Sequence, residues 1–265
     1  MLLRNMRDTL YVMRYENLEE FKETCGYTID GSWYPRVTKI VEIKAKPQLY
    51  KFYAEVGFEE GEEIKAKSAS EGTLIHEAFE AILMGQSPAI DPSIAPAITA
   101  AVEFIKTNKI HVDPAFVERR VVNYEHRYAG TIDTLALIGG KFGILDIKTS
   151  LSIYRDYNLQ TAAYMDTLRG QNLQTRWIMR IDQSQTCTKC GSTLRGKGGR
   201  DKIRDPYPRP MGWQRCEASE HDFGPITGHV ELKEFPYWKD DFAAFLGAKK
   251  LWEWENDYWL RKISY

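Results

Sequence analysis

Two aspartates and a lysine within residues 130–150 are the group in this sequence best suited to chemistry. The segment contains two short apolar strands joined by a Gly-Gly pair at 139–140, which is typical of a hairpin because both turn positions need positive φ. With that turn, Asp133 lies directly opposite Asp146, and the Cβ atoms of such a pair are roughly 4.5–5.5 Å apart. Lys148 follows Asp146 by two residues, so both side chains project from one face of the strand.

The facing carboxylates predict a bound cation. Two carboxylates between apolar strands repel each other and lose hydration, and a divalent cation removes both costs. The alternative is an exposed hairpin with solvated charges. The apolar neighbours of the aspartates favour a buried sheet; they are Ile132, Leu135, Leu137, Ile144, Leu145 and Ile147.

The composition excludes a polycation and a membrane-spanning chain. The protein has 265 residues, of which 43% are hydrophobic, and a formal net charge of −1. This length suits one large core or one domain with an insertion, and any nucleic-acid site must be a local patch. No apolar run is long enough for a membrane span and no secretory signal is evident. We expect a cytoplasmic protein, of a prokaryote or a phage-infected cell, with no membrane partner.

Hydrophobic periodicity places these residues in a core of helix, three strands, helix and strand. The core elements are predicted as a helix at 71–84, strands at 116–124 and 127–138, a third strand after the Gly-Gly turn that carries Asp146 and Lys148, a helix at 154–168 and a strand at 175–182. A strand at 9–14, a short helix at 16–23 and a hairpin at 27–34 precede them, and the acidic run at 59–63 is predicted to be a solvated turn. His76 lies at the edge of the apolar stripe of the first core helix.

Four short motifs on these elements resemble the PD-(D/E)XK nuclease superfamily, in particular its RecB-like branch. They are Gly72-x-x-x-His76, Gly130-x-x-Asp133, Asp146-Ile147-Lys148 and Gln160-x-x-x-Tyr164. The resemblance covers roughly residues 70–185 and implies a mixed α/β class: a restriction-endonuclease-like αβββαβ core with a central mixed sheet flanked by helices. The sequence departs from many members in carrying Asp146 where they have Glu.

The resemblance also implies a role for each motif residue. The ligands of a catalytic Mg²⁺ or Mn²⁺ would be His76, Asp133, Asp146 and the backbone carbonyl of Ile147. Lys148 would act on the attacking water, either as base or as an orienting donor. The residues that assist would be Gln160 and Tyr164, which support Lys148 and the DNA, and Glu118, through a metal-bound water. The residue types suit phosphodiester hydrolysis, which needs a charge-neutralising cation and a positioned water; an imidazole shifts the preference toward Mn²⁺.

Three cysteines and a histidine follow the core in one short stretch. The spacing Cys187-x-x-Cys190-Gly191, with Cys216 and His221 further on, resembles a zinc ribbon, and four such ligands suit a structural, tetrahedral Zn²⁺. Unrelated surface cysteines are one alternative. Another is a 4Fe–4S cluster of the kind that some RecB-like nucleases carry, held by Cys25, Cys187, Cys190 and Cys216.

The segment between Cys187 and Cys216 is rich in glycine and has a net charge of +6. Such a basic loop suggests phosphate contacts, against the alternative that its charges are only solvated. Its basic residues are Lys189, Arg195, Lys197, Arg200, Lys202, Arg204, Arg209 and Arg215.

Together these patterns divide the chain into four regions. They are an N-terminal strand and helical region at 1–70, a nuclease core at 71–185, a basic zinc-ribbon-like insertion at 186–230 and a C-terminal aromatic helix at 231–265. The expected function is a Mg²⁺- or Mn²⁺-dependent DNA exonuclease that acts on linear or single-stranded ends in repair, recombination or phage DNA processing, with a helicase or recombination protein as candidate partner. The alternatives are an endonuclease, a CRISPR-adaptation-type nuclease, or a DNA-binding module without catalysis. The intact set of Asp133, Asp146 and Lys148 speaks against the last.

Overall fold

A central mixed sheet flanked by helices organises residues 15–265, the part of the chain that the computed structural model describes. The helices are α1 (Leu18–Cys25), α2 (Val37–Val41), α3 (Pro47–Val56), α4 (Phe58–Leu83), α5 (Ala95–Thr107), α6 (Asp156–Thr167), α7 (Lys239–Glu255) and α8 (Asp257–Lys262). The strands are β1 (Gly26–Ile29), β2 (Ser32–Pro35), β3 (His111–Val112), β4 (Arg119–Asn123), β5 (Tyr128–Ile132), β6 (Thr134–Ile138), β7 (Lys141–Lys148), β8 (Thr175–Thr186), β9 (Thr193–Lys197), β10 (Arg200–Arg204) and β11 (Thr227–Glu234). The strand predicted at 9–14 lies outside the described residues.

The central sheet has the strand order β10-β9-β8-β7-β6-β3, and β11 pairs with β8 as well. Strands β7 and β8 are parallel, whereas β3–β6, β6–β7, β8–β9, β8–β11 and β9–β10 are antiparallel. Two hairpins, β1–β2 and β4–β5, form separate two-stranded sheets. The parallel β7–β8 pair requires a crossover, which α6 provides.

The predicted register of the β6–β7 hairpin is confirmed. Gly139 and Gly140 have φ of 57° and 80°, and Thr134 pairs with Leu145 as the turn requires. The single strand predicted at 127–138 is wrong, however, because the chain leaves β5 at Ile132 and enters β6 at Thr134. Strand β5 pairs with β4 and strand β6 pairs with β7 and β3. Asp133 therefore lies at the crossing between two sheets and belongs to neither strand.

Alternation along the central strands buries both faces of the sheet. Leu135 and Ile144 pack into a core with residues of α6 and α7, whereas Leu145 and Ile147 pack on the other face with residues of α4 and α5. This period of two also places Asp146 and Lys148 on the α6 side of β7.

Helix α4 is longer than the sequence pattern predicts. It begins at Phe58 rather than near Glu71, so the turn predicted at 59–63 is wrong and the boundary between residues 70 and 71 falls inside the helix. Gly57, with φ of 86°, precedes it, and Glu59 and Glu60 occupy its first turn. Acidic side chains stabilise that end of a helix through its dipole.

The segment after residue 186 is integrated with the central sheet. Strands β9 and β10 form a hairpin that extends the sheet from the end of β8, and β11 returns along β8. Residues 231–234 belong to β11, and the single C-terminal helix predicted from 231 is instead β11 followed by α7 and α8. Among residues 15–265, no helix combines the length and the apolar character that crossing a membrane requires.

Candidate functional site

Two glycines allow the helices of the site to approach its strands. A Cβ on Gly72 of α4 would lie 2.6 Å from Thr149 Oγ1, just after β7. A Cβ on Gly130 of β5 would lie 2.6 Å from Cε1 of Tyr164, a ring on α6 that is fully buried. Both distances are shorter than any normal contact, so these two motif positions are glycines because there is no room for a Cβ.

His76, Asp133 and Ile147 meet where α4 crosses the end of β7. The Ile147 N–H donates to Asp133 Oδ2 at 2.5 Å. His76 Nε2 lies 3.4 Å from the same Asp133 oxygen and 3.3 Å from the Ile147 carbonyl oxygen. The structure thus brings together three of the four groups that were predicted to bind a cation.

Asp146, the fourth predicted ligand, is buried beside Lys148. Its side chain is 1% exposed, and Lys148 Nζ lies 2.6 Å from Oδ2. Within residues 15–265, the other oxygen, Oδ1, has no hydrogen-bond partner. Burial raises the pKa of Asp146 to about 6, against the effect of the Lys148 charge, and the Asp133 charge raises it further. Buried carboxylate oxygens of this kind are costly unless a cation binds them.

Lys148 keeps its proton despite its burial. Burial alone lowers the pKa of Lys148, but the charges of Asp146 and Asp133 outweigh it and raise the pKa above its ordinary value. On α6, Tyr157 contacts this ammonium, with its ring centroid 5.2 Å from Nζ. Gln160, which was expected to support Lys148 together with Tyr164, donates from Nε2 to Tyr164 Oη at 3.4 Å.

Glu80 is a site residue that the sequence analysis missed. Its carboxylate forms a close contact with His76 Nδ1 one turn away on α4, and it is 8% exposed. His76, Glu80, Glu118 and Asp133 each offer a ligand atom within 4.8 Å of the others. The i, i+4 spacing of His76 and Glu80 was the signal that could have revealed this pair.

The charges around His76 account for its ionisation and for that of Glu118. Burial lowers the pKa of His76, but hydrogen bonds to Asp133 and Glu80 outweigh it and raise the pKa to about 11. Glu118 directly precedes β4 with φ of 51° rather than lying on a strand, and its N–H donates to the Asp133 carbonyl at 2.9 Å. Partial desolvation and the neighbouring Glu80 raise the pKa of Glu118 to about 7.

A second group, at the base of the β9–β10 hairpin, comprises Cys187, Cys190, Cys216 and His221. Their ligand atoms all lie within 4.8 Å of one another, and Cys190 Sγ is 3.5 Å from His221 Nδ1. Gly191, with φ of 71°, donates its N–H to the Cys187 carbonyl at 2.9 Å, which closes the tight turn after Cys190. These four predicted ligands are therefore assembled, and they could hold a metal ion.

Local hydrogen bonds prepare two of these thiols to ionise. Burial raises the pKa of both Cys187 and Cys190, but backbone hydrogen bonds lower that of Cys187 to about 7, and hydrogen bonds with Ser192 and the backbone lower that of Cys190 to about 7. Burial and the two neighbouring thiols raise the pKa of Cys216 to about 11. The thiolate is the form that binds a metal.

The alternative four-cysteine set is not assembled. Cys25 is fully buried in the aromatic core at the end of α1, and its Sγ donates to Tyr15 Oη at 2.9 Å. It does not belong to the group around Cys187. The iron–sulfur alternative that used Cys25 is wrong, because this thiol is enclosed by the packing of the N-terminal and C-terminal helices.

The basic segment is an ordered hairpin whose charges are largely engaged. Arg195 Nε lies 2.7 Å from both Asp182 oxygens, Arg200 pairs with Glu55 at 3.4 Å, and Asp205 pairs with Arg209 and Arg215. Lys189 and Lys197 donate to backbone carbonyls. Lys202 and Arg204, by contrast, have no ion pair or hydrogen bond to another side chain among the residues described, so they are the basic groups of this segment with a charge available to a ligand.

Comparisons with known proteins give no family. No protein-family model matches the chain, and no curated protein matches it. A solved structure described as the crystal structure of SSO0001 is similar over 82% of this chain and 73% of that chain, with 13% sequence identity and a TM-score of 0.36. A likeness at this TM-score carries no argument about function.

Proposed function

We propose that the protein is a divalent-cation-dependent DNA nuclease of the PD-(D/E)XK type that acts as an exonuclease on linear or single-stranded ends. The single observation that carries this proposal is Asp146, a buried carboxylate whose Oδ2 is paired with Lys148 and whose Oδ1 has no hydrogen-bond partner among the described residues. The charges of Lys148, Asp133 and His76 all act on this carboxylate. The motifs that resemble the RecB-like branch supply the same residues independently.

The donor set fits Mg²⁺ or Mn²⁺. His76, Asp133, Asp146 and the Ile147 carbonyl offer carboxylate, imidazole and carbonyl groups, which suit hard divalent cations. When bound, such a cation neutralises the charge of the phosphodiester and acidifies water. Glu80 holds His76 through Nδ1 and so leaves Nε2 directed at Asp133 and Ile147, an arrangement common behind histidine ligands. The proton that the raised pKa of His76 keeps on the ring would leave Nε2 when a cation binds there.

Lys148 is the donor that orients the attacking water or the scissile phosphate. Its raised pKa keeps the ammonium charged near neutral pH, which favours this role over that of a base. Asp146 and the Tyr157 ring hold the ammonium from two sides. A preorganised donor of this kind stabilises charge that develops in the transition state.

Glu118 and Tyr164 complete the arrangement. Glu118, with a pKa of about 7, can exchange a proton at neutral pH, as an acid–base group requires. Tyr164 is fixed against Gly130 and shares its α6 face with Gln160, so these two residues shape the site wall between β5 and β7.

We also propose that the Cys187, Cys190, Cys216 and His221 group holds a structural Zn²⁺. Three sulfurs and one imidazole nitrogen within 4.8 Å of one another are a typical zinc set, and four protein ligands leave no open position for water. This ion would therefore order the base of the β9–β10 hairpin and take no part in hydrolysis.

The proposal is tested by incubating end-labelled linear DNA and closed circular DNA with the protein and Mg²⁺ or Mn²⁺. We expect cleavage of the linear DNA from its ends and none of the circle. Asp146→Asn and Lys148→Met should each lower the rate by about a hundredfold or more, whereas Asp201→Asn, an exposed change on β10, should not alter it.

Other outcomes of this experiment have distinct meanings. Cleavage of the circle would establish the endonuclease alternative. A wild-type protein that binds DNA but cleaves neither substrate with either ion would refute the proposed nuclease activity and would establish the DNA-binding module. Full activity in Asp146→Asn would refute the assigned site.

A further inference from the structure

The tip of the β9–β10 hairpin is docked on the helix that carries His76. A Cβ on Gly198, which has φ of 65°, would lie 2.2 Å from Ser68 Oγ and 2.4 Å from the Ile64 carbonyl oxygen of α4. The Gly198 N–H donates to Glu71 Oε1 at 3.0 Å. The hairpin and α4 therefore pack backbone to backbone, just before Gly72 and His76.

The same hairpin holds the residue that follows Lys148. The β7–β8 ladder ends with the pair of Lys148 and Arg180, so Thr149 lies beyond it. Lys197 Nζ donates a short hydrogen bond to the Thr149 carbonyl, and Arg195 Nη2 donates to the same oxygen at 3.4 Å. Beyond the last residue pair of the β7–β8 ladder, the side chains of Lys197 and Arg195 on β9 thus donate hydrogen bonds to the backbone.

The Lys197 ammonium lies beside the Thr149 carbonyl without a counter-ion among the described residues. It has no carboxylate within ion-pair distance in the part of the chain that the structure describes, whereas its neighbour Arg195 is neutralised by Asp182. Burial, reinforced by the Arg195 charge, lowers the pKa of Lys197 to about 8. A half-buried ammonium without a counter-ion destabilises a fold, and the contact that it makes is with Thr149.

We propose that Lys197 is a positioning residue that fixes the end of β7, and with it Lys148, relative to α4. This inference rests on the proposed nuclease function and deepens it. The hairpin base is the Cys187 group: the Cys187 N–H donates to the Ser192 carbonyl at 2.8 Å, and β9 begins at the next residue. The cysteine and histidine unit is thereby connected to the catalytic lysine through one short strand.

The test compares Lys197→Met with Lys197→Arg and with a control, Lys250→Met. Lys250 lies on α7, is exposed, and its substitution removes the same charge without touching Thr149. In steady-state cleavage of linear DNA, we expect Lys197→Met to lower kcat by about tenfold or more, since small displacements of a reacting group are costly, with KM little changed. Lys197→Arg should recover most of kcat, and Lys250→Met should resemble the wild type.

Hydrogen exchange of the DNA-free protein gives a readout independent of cleavage. Amides of residues 146–148, at the end of the β7–β8 ladder, should exchange faster in Lys197→Met, while those in the middle of β8 and those of the Lys250→Met protein should not change. If Lys197→Met does not fold, Lys197→Gln takes its place in both measurements.

Several outcomes would overturn the inference. A raised KM with unchanged kcat and a weaker salt dependence of DNA binding would make Lys197 a phosphate contact. Unchanged exchange at 146–148, or equal effects of Lys197→Met and Lys250→Met, would remove the positioning role. If the wild type does not cleave DNA, the proposed function fails, and the exchange comparison alone still decides whether Lys197 fixes the end of β7.

Discussion

Replacing Gly130 by alanine tests whether the site depends on contact between β5 and α6. The added Cβ would lie 2.6 Å from Tyr164 Cε1 and 2.9 Å from its hydroxyl oxygen, and the Tyr164 ring is 1% exposed. Overpacking against a ring that cannot move away costs about 3 kcal/mol, and the lower conformational entropy of alanine in the unfolded chain offsets about 1 kcal/mol. The net loss of about 2 kcal/mol corresponds to a Tm lower by about 4–8 °C.

Thermal unfolding followed by calorimetry measures this change, and Gly247→Ala provides a control of opposite sign. Gly247 lies inside α7, where an added Cβ would meet no described atom within 4 Å, so alanine should raise the stability by about 1 kcal/mol. In a Tyr164→Ala background, Gly130→Ala should cost little, because the ring that the added Cβ would overlap is then absent. An unchanged Tm in Gly130→Ala, or an equal loss in both backgrounds, would show that the glycine serves another purpose.

Three further predictions concern the two candidate metal groups. Purified protein should contain about one tightly bound zinc per chain by elemental analysis, and Cys190→Ser should lose most of it; iron with a brown absorbance would contradict this. Glu80→Gln should weaken Mn²⁺ binding by about tenfold or more in calorimetric titration, and equal affinity in the variant and the wild type would remove Glu80 from the site. Mn²⁺ affinity should also fall more steeply as the pH drops through about 6, because protonation of Asp146, whose pKa is raised to about 6, then adds to the proton that His76, with a pKa of about 11, already holds at higher pH; a slope that does not steepen in this range would exclude Asp146 as a ligand.

The sequence by itself determined the features that depend on neighbouring residues. The Gly139-Gly140 turn sets the register of β6 and β7, since two positive φ values at adjacent glycines leave one tight hairpin. Alternation places Asp146 and Lys148 on one face whatever surrounds the strand. The Cys187-x-x-Cys190-Gly191 turn is equally local, because its closing hydrogen bond joins residues four apart.

Only the tertiary structure decided the contacts between distant segments. The break at Asp133 arises because β5 and β6 join different sheets, and no local signal in an apolar strand marks that crossing. Cys25 is separated from the other cysteines by helix packing at the two ends of the chain, which spacing along the sequence does not report.

Lys197 shows most clearly that the sequence alone does not predict contacts between distant segments. As a sequence feature it is one of eight basic residues in a glycine-rich stretch, and the composition of that stretch predicts a loop that contacts phosphate. The structure instead pairs β9 with the end of β8 and seats Gly198 on α4, so that the Lys197 side chain reaches Thr149. Such a contact depends on the relative placement of three elements, which is fixed by the burial of apolar faces across the whole fold and not by the residues adjacent to Lys197.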